Sequence, residues 1–287
     1  MENRDARKFA TERTGRFRQS KLSKIDESTI SNIEEFGCSV IQVCPLACAP
    51  PDEPGWSYTI GIFDTCGGPE LITVGLDLST ARHLLNETAR LLRNGIDLTA
   101  GRQKGLLEKV DCEFRTVDPK WIPRVMGWAK WFYDGPEFPV LQAIYPDLEN
   151  RFPGDAGFDI RFQQPMLQTD AAFGDLERRC WEGGIDQRIG WKFPDNPHKQ
   201  VFLSQAVHQG DEPITYVSHD ADDGAWQFLG DSMASDSVAV LRCFHQVVEV
   251  DPSLIALADL PLGWCAEREK PGASWVREQH GPEQAKA

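Results

Sequence analysis

The stretch that most constrains this chain is a pair of neighbouring apolar runs, Trp56-Ser-Tyr-Thr-Ile-Gly-Ile-Phe-Asp64 and Glu70-Leu-Ile-Thr-Val-Gly-Leu76. Aromatic and β-branched residues fill both, which predicts two strands. The link Thr65-Cys-Gly-Gly-Pro69 is turn chemistry, with two glycines free to take positive φ and a proline fixing the exit. Together they predict a hairpin. Gly61 and Gly75 forgo side-chain packing within these runs, which implies a bulge or a close approach of another group to bare backbone. A hairpin is marginal alone, so the flanking sequence must cover it.

The flanks supply candidates. Ser23-Lys-Ile-Asp26 reads as a capping box that opens a helix ending near Phe36-Gly37. Ser39–Val43 reads as a strand, followed by a loop carrying Pro45, Pro50, Pro51 and Pro54. After the hairpin, Ser79 is the expected N-cap of a helix whose Ala81, Leu84, Leu85, Thr88, Leu91 and Leu92 share one face; Asn94-Gly95 ends it. Leu106 to Val117 is expected to be one long strand with Asp111 and Glu113 on its outer side. Asp118-Pro119 starts a further helix that is apolar nearly all round through Trp121, Trp128, Trp131 and Tyr133. Pro139 to Asp147 is a final strand of this region.

Beyond Gln163 the sequence turns irregular, and residues 168–197 read as a connector. In residues 198–277, Val201 to Val207 is apolar and of undecided type. Ile214–Ser218 and Trp226–Leu229 read as strands around the acidic turn His219-Asp-Ala-Asp-Asp-Gly224. Val238 to Val250 is expected as a long strand, Asp251-Pro252-Ser253 opens a short helix, and Trp264–Arg268 and Ser274–Arg277 read as closing strands. The expected fold is α+β. One domain (25–167) has a mostly antiparallel bent sheet or partial barrel with two packed helices. A second small α+β domain (198–277) follows, with a basic arm (1–24) in front and a polar tail (278–287) behind.

Charge restricts function. The net charge is -14 over 287 residues, yet residues 1 to 24 carry a net +5 and leave -19 for the remainder. An acidic body repels phosphates and argues against nucleic acid as a general partner. It favours a basic protein partner. The arm itself is expected to be a solvated, frayed terminus. No leading apolar segment and no apolar run of about 18 residues is found, so neither secretion nor a membrane span is expected. The eight cysteines then belong to a reducing, cytoplasmic setting.

The residues Tyr58-Thr-Ile-Gly61, Pro69-Glu-Leu71, Gly75-Leu76, Asn86, Leu141-Gln142, Tyr145-Pro-Asp147 and Phe152-Pro153 make residues 30 to 167 resemble a bacterial family known only as domain of unknown function 4262. That resemblance implies no activity. More loosely, Asp223-Gly-Ala-Trp-Gln-Phe-Leu-Gly230 followed by Asp251-Pro-Ser-Leu254 makes residues 200 to 277 resemble the immunity-protein 33 family. This implies a protein, or a module of one, that binds and neutralises a toxin.

No phosphate loop, dinucleotide fingerprint, nucleophile elbow or HExxH helix is present. Cys66 and Cys112 lack a base marked by spacing, and Asp111 with Glu113 is a possible carboxylate pair. His219 and Asp220, with Asp222 and Asp223, could ligate a divalent metal, with His208 and His245 as further candidates, but a solvated hairpin turn is the preferred reading of these residues.

The leading expectation is a non-catalytic binding protein, immunity-like or regulatory, acting through an acidic, aromatic-rich surface. Its candidate residues are Trp128, Trp131, His219, Asp220, Asp223 and Trp226, and no cofactor or metal is required. The alternative is a flavin- or small-molecule-binding enzyme of split-barrel type, with Trp56, Tyr58, Thr59 and Gly61 lining a pocket and Gln142 adding an amide. A metal hydrolase on His219 and Asp220 is a third reading.

Overall fold

A computed structural model describes residues 8–20, 22–44, 54–99, 101–107, 110–169, 191–197, 199–231 and 239–279. These fall into two compact units, one within Met1–Leu22, Thr29–Val43 and Asp52–Asp175, the other within Ser23–Ser28, Cys44–Pro51 and Leu176–Ala287. The fold is α+β, built on mostly antiparallel sheet.

In the first unit, β1 (Ser39–Val43), β2 (Trp56–Ile60), β3 (Glu70–Val74), β4 (Glu113–Thr116) and β5 (Val140–Ile144) lie in the order β1-β2-β3-β5-β4. Only the β3–β5 pair is parallel. The expected hairpin forms, with Trp56 opposite Val74 and Tyr58 opposite Ile72. Its first strand is shorter than expected. β2 stops at Ile60, and Ile62–Cys66 is a helical turn rather than strand and loop.

Among the described residues, the α-helices that belong wholly or partly to this region are α1 (Glu12–Phe17), α2 (Lys24–Phe36), α3 (Ile62–Cys66), α4 (Leu78–Arg93), α5 (Ile122–Val125) and α6 (Gly127–Tyr133). The two expected packed helices are α4, which lies across β1, β2 and β3, and α6, which meets β2. The α4 core face buries Ala81, Leu84, Leu85, Thr88 and Ala89, and Leu84, Leu85 and Ala89 cluster with Val40, Leu71, Phe114 and Leu141. Its N-cap is Asp77, which accepts from the Ser79 and Thr80 amides, and not Ser79 itself. The expected long helix after Pro119 is broken at Met126, whose backbone (φ -131, ψ 45) leaves the helical region. The expected 106–117 strand shrinks to β4, preceded by one isolated Gln103–Cys112 bridge.

The described part of the basic arm is not frayed. Thr11 caps α1, Phe17 stacks on Phe132 (5.5 Å between centroids, 10° between planes), and Arg13 donates to the Phe132 carbonyl at 2.8 Å. Arg18 pairs with the buried Glu34 at 3.0 Å. Apolar and ionic contacts together offset the ordering entropy that leaves most termini loose. Residues 1–7 lie outside the described residues, as do 170–190 of the expected connector and 280–287 of the tail.

In the second unit, β6 (Gln200–Ser204), β7 (Tyr216–His219), β8 (Trp226–Leu229), β9 (Ala239–Cys243), β10 (Trp264–Glu267) and β11 (Val276–Gln279) follow the order β11-β10-β7-β8-β6-β9. β6 and β8 are parallel, and the other pairs antiparallel. Short helices α7 (Gln205–Gln209) and α8 (Phe244–Val250) follow β6 and β9. The expected 238–250 strand is therefore half helix. Phe244, Val247 and Val248 bury one helical face against Phe193, Trp226 and Phe228, a spacing that a run of apolar residues does not distinguish from strand.

Candidate functional site

In the first unit the polar centre is Glu70, the first residue of β3, which is fully buried. Its carboxylate accepts from the Thr59 hydroxyl at 2.5 Å, the Gly61 amide at 2.8 Å, the Phe63 amide at 3.1 Å and the Tyr133 hydroxyl. Thr59 in turn accepts from the Leu71 amide at 2.9 Å. Gly61 makes the arrangement possible. Its φ of 109° turns the chain from β2 into α3, and a Cβ there would stand 2.8 Å from the Ile33 side chain. Burial pushes the Glu70 carboxyl pKa up, while the four donors work against the rise. With no exposed surface and every donor matched, this carboxyl locks β2, α3, β3 and α6 together; it has no open face for a substrate.

The other residues expected to line a pocket are likewise engaged. The Trp56 indole donates to the Val125 carbonyl at 2.8 Å, and the buried Tyr58 hydroxyl accepts from the Trp128 amide at 3.4 Å. Gln142 donates to the Pro165 carbonyl at 2.7 Å and accepts from the Leu167 amide at 2.9 Å. The structure thus gathers Trp56, Tyr58 and Trp128 near α5 and α6, and Thr59 with Gly61 at Glu70. Trp128 is buried and Trp131 half-buried against Phe17, 4.7 Å between centroids. Among the described residues no tryptophan is exposed, so an exposed tryptophan anchor is absent from that set; the exposed aromatic rings there are Phe36 and Phe63.

The remaining sequence candidates meet in the second unit. β7 and β8 place His219 opposite Trp226, and their rings stack at 4.1 Å and 15°. His219 Nδ1 lies 2.8 Å from the Leu260 carbonyl, and the Trp226 indole donates to Asp195 at 3.0 Å. Lys199 ties the turn shut, donating to Asp195 at 2.6 Å and to the Gly224 carbonyl at 2.7 Å. Asp220 is buried and accepts from Gln227 Nε2 at 2.6 Å and from the Ser218 hydroxyl at 3.2 Å. Asp223 is exposed at the turn.

The sequence reading missed the partner of this turn. Asp26, in the first turn of α2, faces it, and the Ile25 amide donates to Gln227 Oε1 at 3.3 Å. The capping signal was legible, since the Ser23 hydroxyl donates to Asp26 at 2.5 Å and accepts its amide at 3.1 Å. Nothing in the spacing joined it to Asp220. Burial, with repulsion from Asp223 and Asp222, pushes the Asp26 carboxyl up to about 7, although its Ser23 bonds oppose this. Burial and then the Asp26 charge push Asp220 up to about 7. Asp223, although its residue surface is open at the turn, is also raised, by partial burial of its carboxyl and then by the Asp222 charge, while the Ala225 amide and the Lys199 charge work against the rise. None of Asp26, Asp220, Asp222 and Asp223 forms an ion pair among the described residues; Lys199 pairs with Asp195, and Lys24 lies 3.5 Å over the Tyr216 ring and 3.9 Å from Glu267. The geometry leaves a concentration of carboxyls on which Lys199, already paired with Asp195, acts only at Asp223.

Other sequence candidates stay apart. His245 Nδ1 lies 3.0 Å from the Pro197 carbonyl and His208 Nε2 lies 3.7 Å from the Cys44 sulfur, so neither joins His219. Among the described residues no three His, Cys, Asp or Glu side chains gather as metal ligands would. Asp111 bonds Asn150 while Glu113 bonds Arg115, which separates that carboxylate pair. Burial pushes the Cys112 thiol up to about 12, far from a nucleophile's range.

Residues 32–159 match the model of a family described as Domain of unknown function (DUF4262). No curated protein and no solved structure matches the chain.

Proposed function

We propose that this chain, which carries the domain of that family in its first unit, is a non-catalytic binding protein that docks a basic protein partner on the acidic turn of its second unit. The observation that supports this reading is the Asp26–Asp220–Asp223 group, where carboxyls repel one another and none of the three forms an ion pair among the described residues; the nearby Lys199, which acts on Asp223, is itself paired with Asp195. A lysine or arginine side chain of a partner would pair with them, lower their pKa values and expel protons as it binds. The net charge of -14 speeds encounter with such a partner. An immunity or regulatory role, acting in the cytoplasm, is the form of binding proposed. No described helix is long and apolar enough to cross a membrane.

The test uses the full chain as bait in extract of its source cell, beside the triple variant D26N/D220N/D223N. Recovery of a basic protein at low salt by the unmodified chain, lost with the variant, supports the proposal. Recovery of no protein, or of the same proteins by both baits, overturns it.

A further inference from the structure

The acidic turn has an apolar neighbour in the same unit. Leu262 is 57% exposed, and its Cδ2 lies 3.7 Å from where a Cβ would stand on Gly224, the last residue of the turn. A Cβ on Gly263 would stand 3.3 Å from that of Ala221, so the two turns touch. Ala221 and Pro261 are exposed with Leu262, as are Asp222 and Asp223. Apolar surface and carboxyls therefore adjoin.

A single exposed leucine is ordinary on a protein surface. This one is held in place. The Gly263 amide donates to the His219 carbonyl at 2.7 Å, and the Trp264 amide donates to the Pro261 carbonyl at 3.2 Å. The Leu260 carbonyl lies 2.8 Å from His219 Nδ1. Gly263 takes φ 75°, which glycine adopts without strain. His219 is itself buried and stacked on Trp226, so one residue fixes both the start of the acidic turn and the turn that bears the leucine. At the far end of the acidic turn, Lys199 bonds the Gly224 carbonyl and Asp195. Surface groups fixed in this way lose little conformational freedom when a partner covers them.

Charge and apolar surface together narrow the partner. Carboxyls alone attract any cation, and salt screens that attraction. An adjoining leucine favours a partner that lays an apolar group on it, because burying apolar surface is favourable without any charge. We propose that Leu262 and the acidic turn form one recognition surface for a partner segment that carries a basic side chain with an aliphatic side chain beside it; this rests on the docking reading above. On an extended segment, residues two apart project to the same side about 7 Å apart, so Arg-x-Leu is the simplest pattern that serves both halves. Arginine suits the carboxyls better than lysine, since its fork bonds a carboxylate at two points and is less strongly hydrated.

The test is an NMR titration of the full chain at low salt with a capped peptide of two Arg-Ser-Leu repeats, beside a peptide of two Arg-Ser-Ser repeats with the same charge. The leucine peptide should shift the amides of Ala221 to Gly224 and of Leu262 and Gly263, and should bind about fivefold or more tightly than the serine peptide. In L262S that preference should vanish while the serine peptide binds as before. Should L262S fail to fold, L262A is read instead. Both peptides should weaken in D26N/D220N/D223N. Equal binding of the two peptides by the unmodified chain, each weakened in the triple variant, overturns the role of Leu262 and leaves the acidic docking surface standing. Binding that is indifferent to the triple variant overturns the docking surface itself. No saturable binding of the leucine peptide, or a preference that survives in L262S, also overturns the inference.

Discussion

The Gln227 amide donates to Asp220 at 2.6 Å, and its carbonyl accepts the Ile25 amide at 3.3 Å from a position 202 residues earlier in the chain. One neutral side chain therefore holds the first turn of α2 beside the acidic turn and keeps Asp26 and Asp220 in mutual range. Gln227 is itself buried, so neither of its bonds can be exchanged for water without cost.

That relationship has a pH signature. Asp26 and Asp220 both titrate near 7 in the folded chain, against an ordinary 3.8. Between about pH 4 and pH 7 the folded state holds protons that the unfolded chain has released, so stability falls as pH rises through this window and levels off above it. D220N removes the penalty. It should stabilise the chain by on the order of 2 kcal/mol at pH 8 and by almost nothing at pH 4, where the aspartate is already protonated. Urea unfolding at the two pH values measures this. An equal effect at both would show that charge is not the cause.

Gly61 makes a second prediction. At φ 109° an alanine is strained, and its Cβ would press on Ile33 at 2.8 and 2.9 Å. G61A should cost about 2–4 kcal/mol. I33A, added to G61A, removes the clash but leaves the backbone strain, so the double variant should fall short of additivity. Strictly additive losses in a double-mutant cycle would show that Ile33 and position 61 do not press on each other.

Gly61 also shows how much was legible beforehand. The β2–β3 pair, the α4 core face and the glycine-terminated helices follow from local residue chemistry, and the structure contains them. The close approach at Gly61 was expected in kind, but Ile33 was not nameable, because side-chain contact across sequence leaves no local trace. The same limit hid Glu70. The sequence marks it as part of a strand, and only the fold shows that it collects Thr59, Gly61, Phe63 and Tyr133. The 238–250 run failed for a different reason: Val238-Ala-Val-Leu satisfies strand propensity, and the change to helical spacing at Phe244 carries no glycine or proline to mark it.

Removing the Glu70 carboxylate should be among the most damaging changes to the first unit. E70A strands the Phe63 amide and the Thr59 and Tyr133 hydroxyl protons and leaves the Gly61 amide only the Tyr133 hydroxyl at 3.1 Å, so a loss of about 3–5 kcal/mol is expected. E70Q keeps one oxygen for the Gly61 and Phe63 amides and gives the Thr59 hydroxyl an amide to meet, so it should cost roughly half as much. Chemical denaturation of both variants ranks them. If E70A were as stable as the unmodified chain, Glu70 would not be a lock, and a functional role for this carboxyl would regain its standing.

The docked arm can be tested through Phe17. Its ring lies 4.7 Å from Trp131 and 5.5 Å from Phe132, while Arg13 reaches from the same helix to the Phe132 carbonyl and to Asp134 at 3.0 Å. α1 has only six residues, too short to persist without tertiary contact. F17A should therefore release α1 rather than merely loosen it: trypsin should cut after Arg13, Arg16 and Arg18 at least about tenfold faster, as expected for segments whose opening free energy drops by 1–2 kcal/mol. Trp131 would lose its cover, and its fluorescence should shift to the red. R16A is the control, because Arg16 reaches Asp134 only at 4.0 Å with both side chains largely exposed, and such a pair contributes little. Equal cleavage at Arg18 in F17A, R16A and the unmodified chain would mean that the arm is held by its charges and not by the aromatic stack.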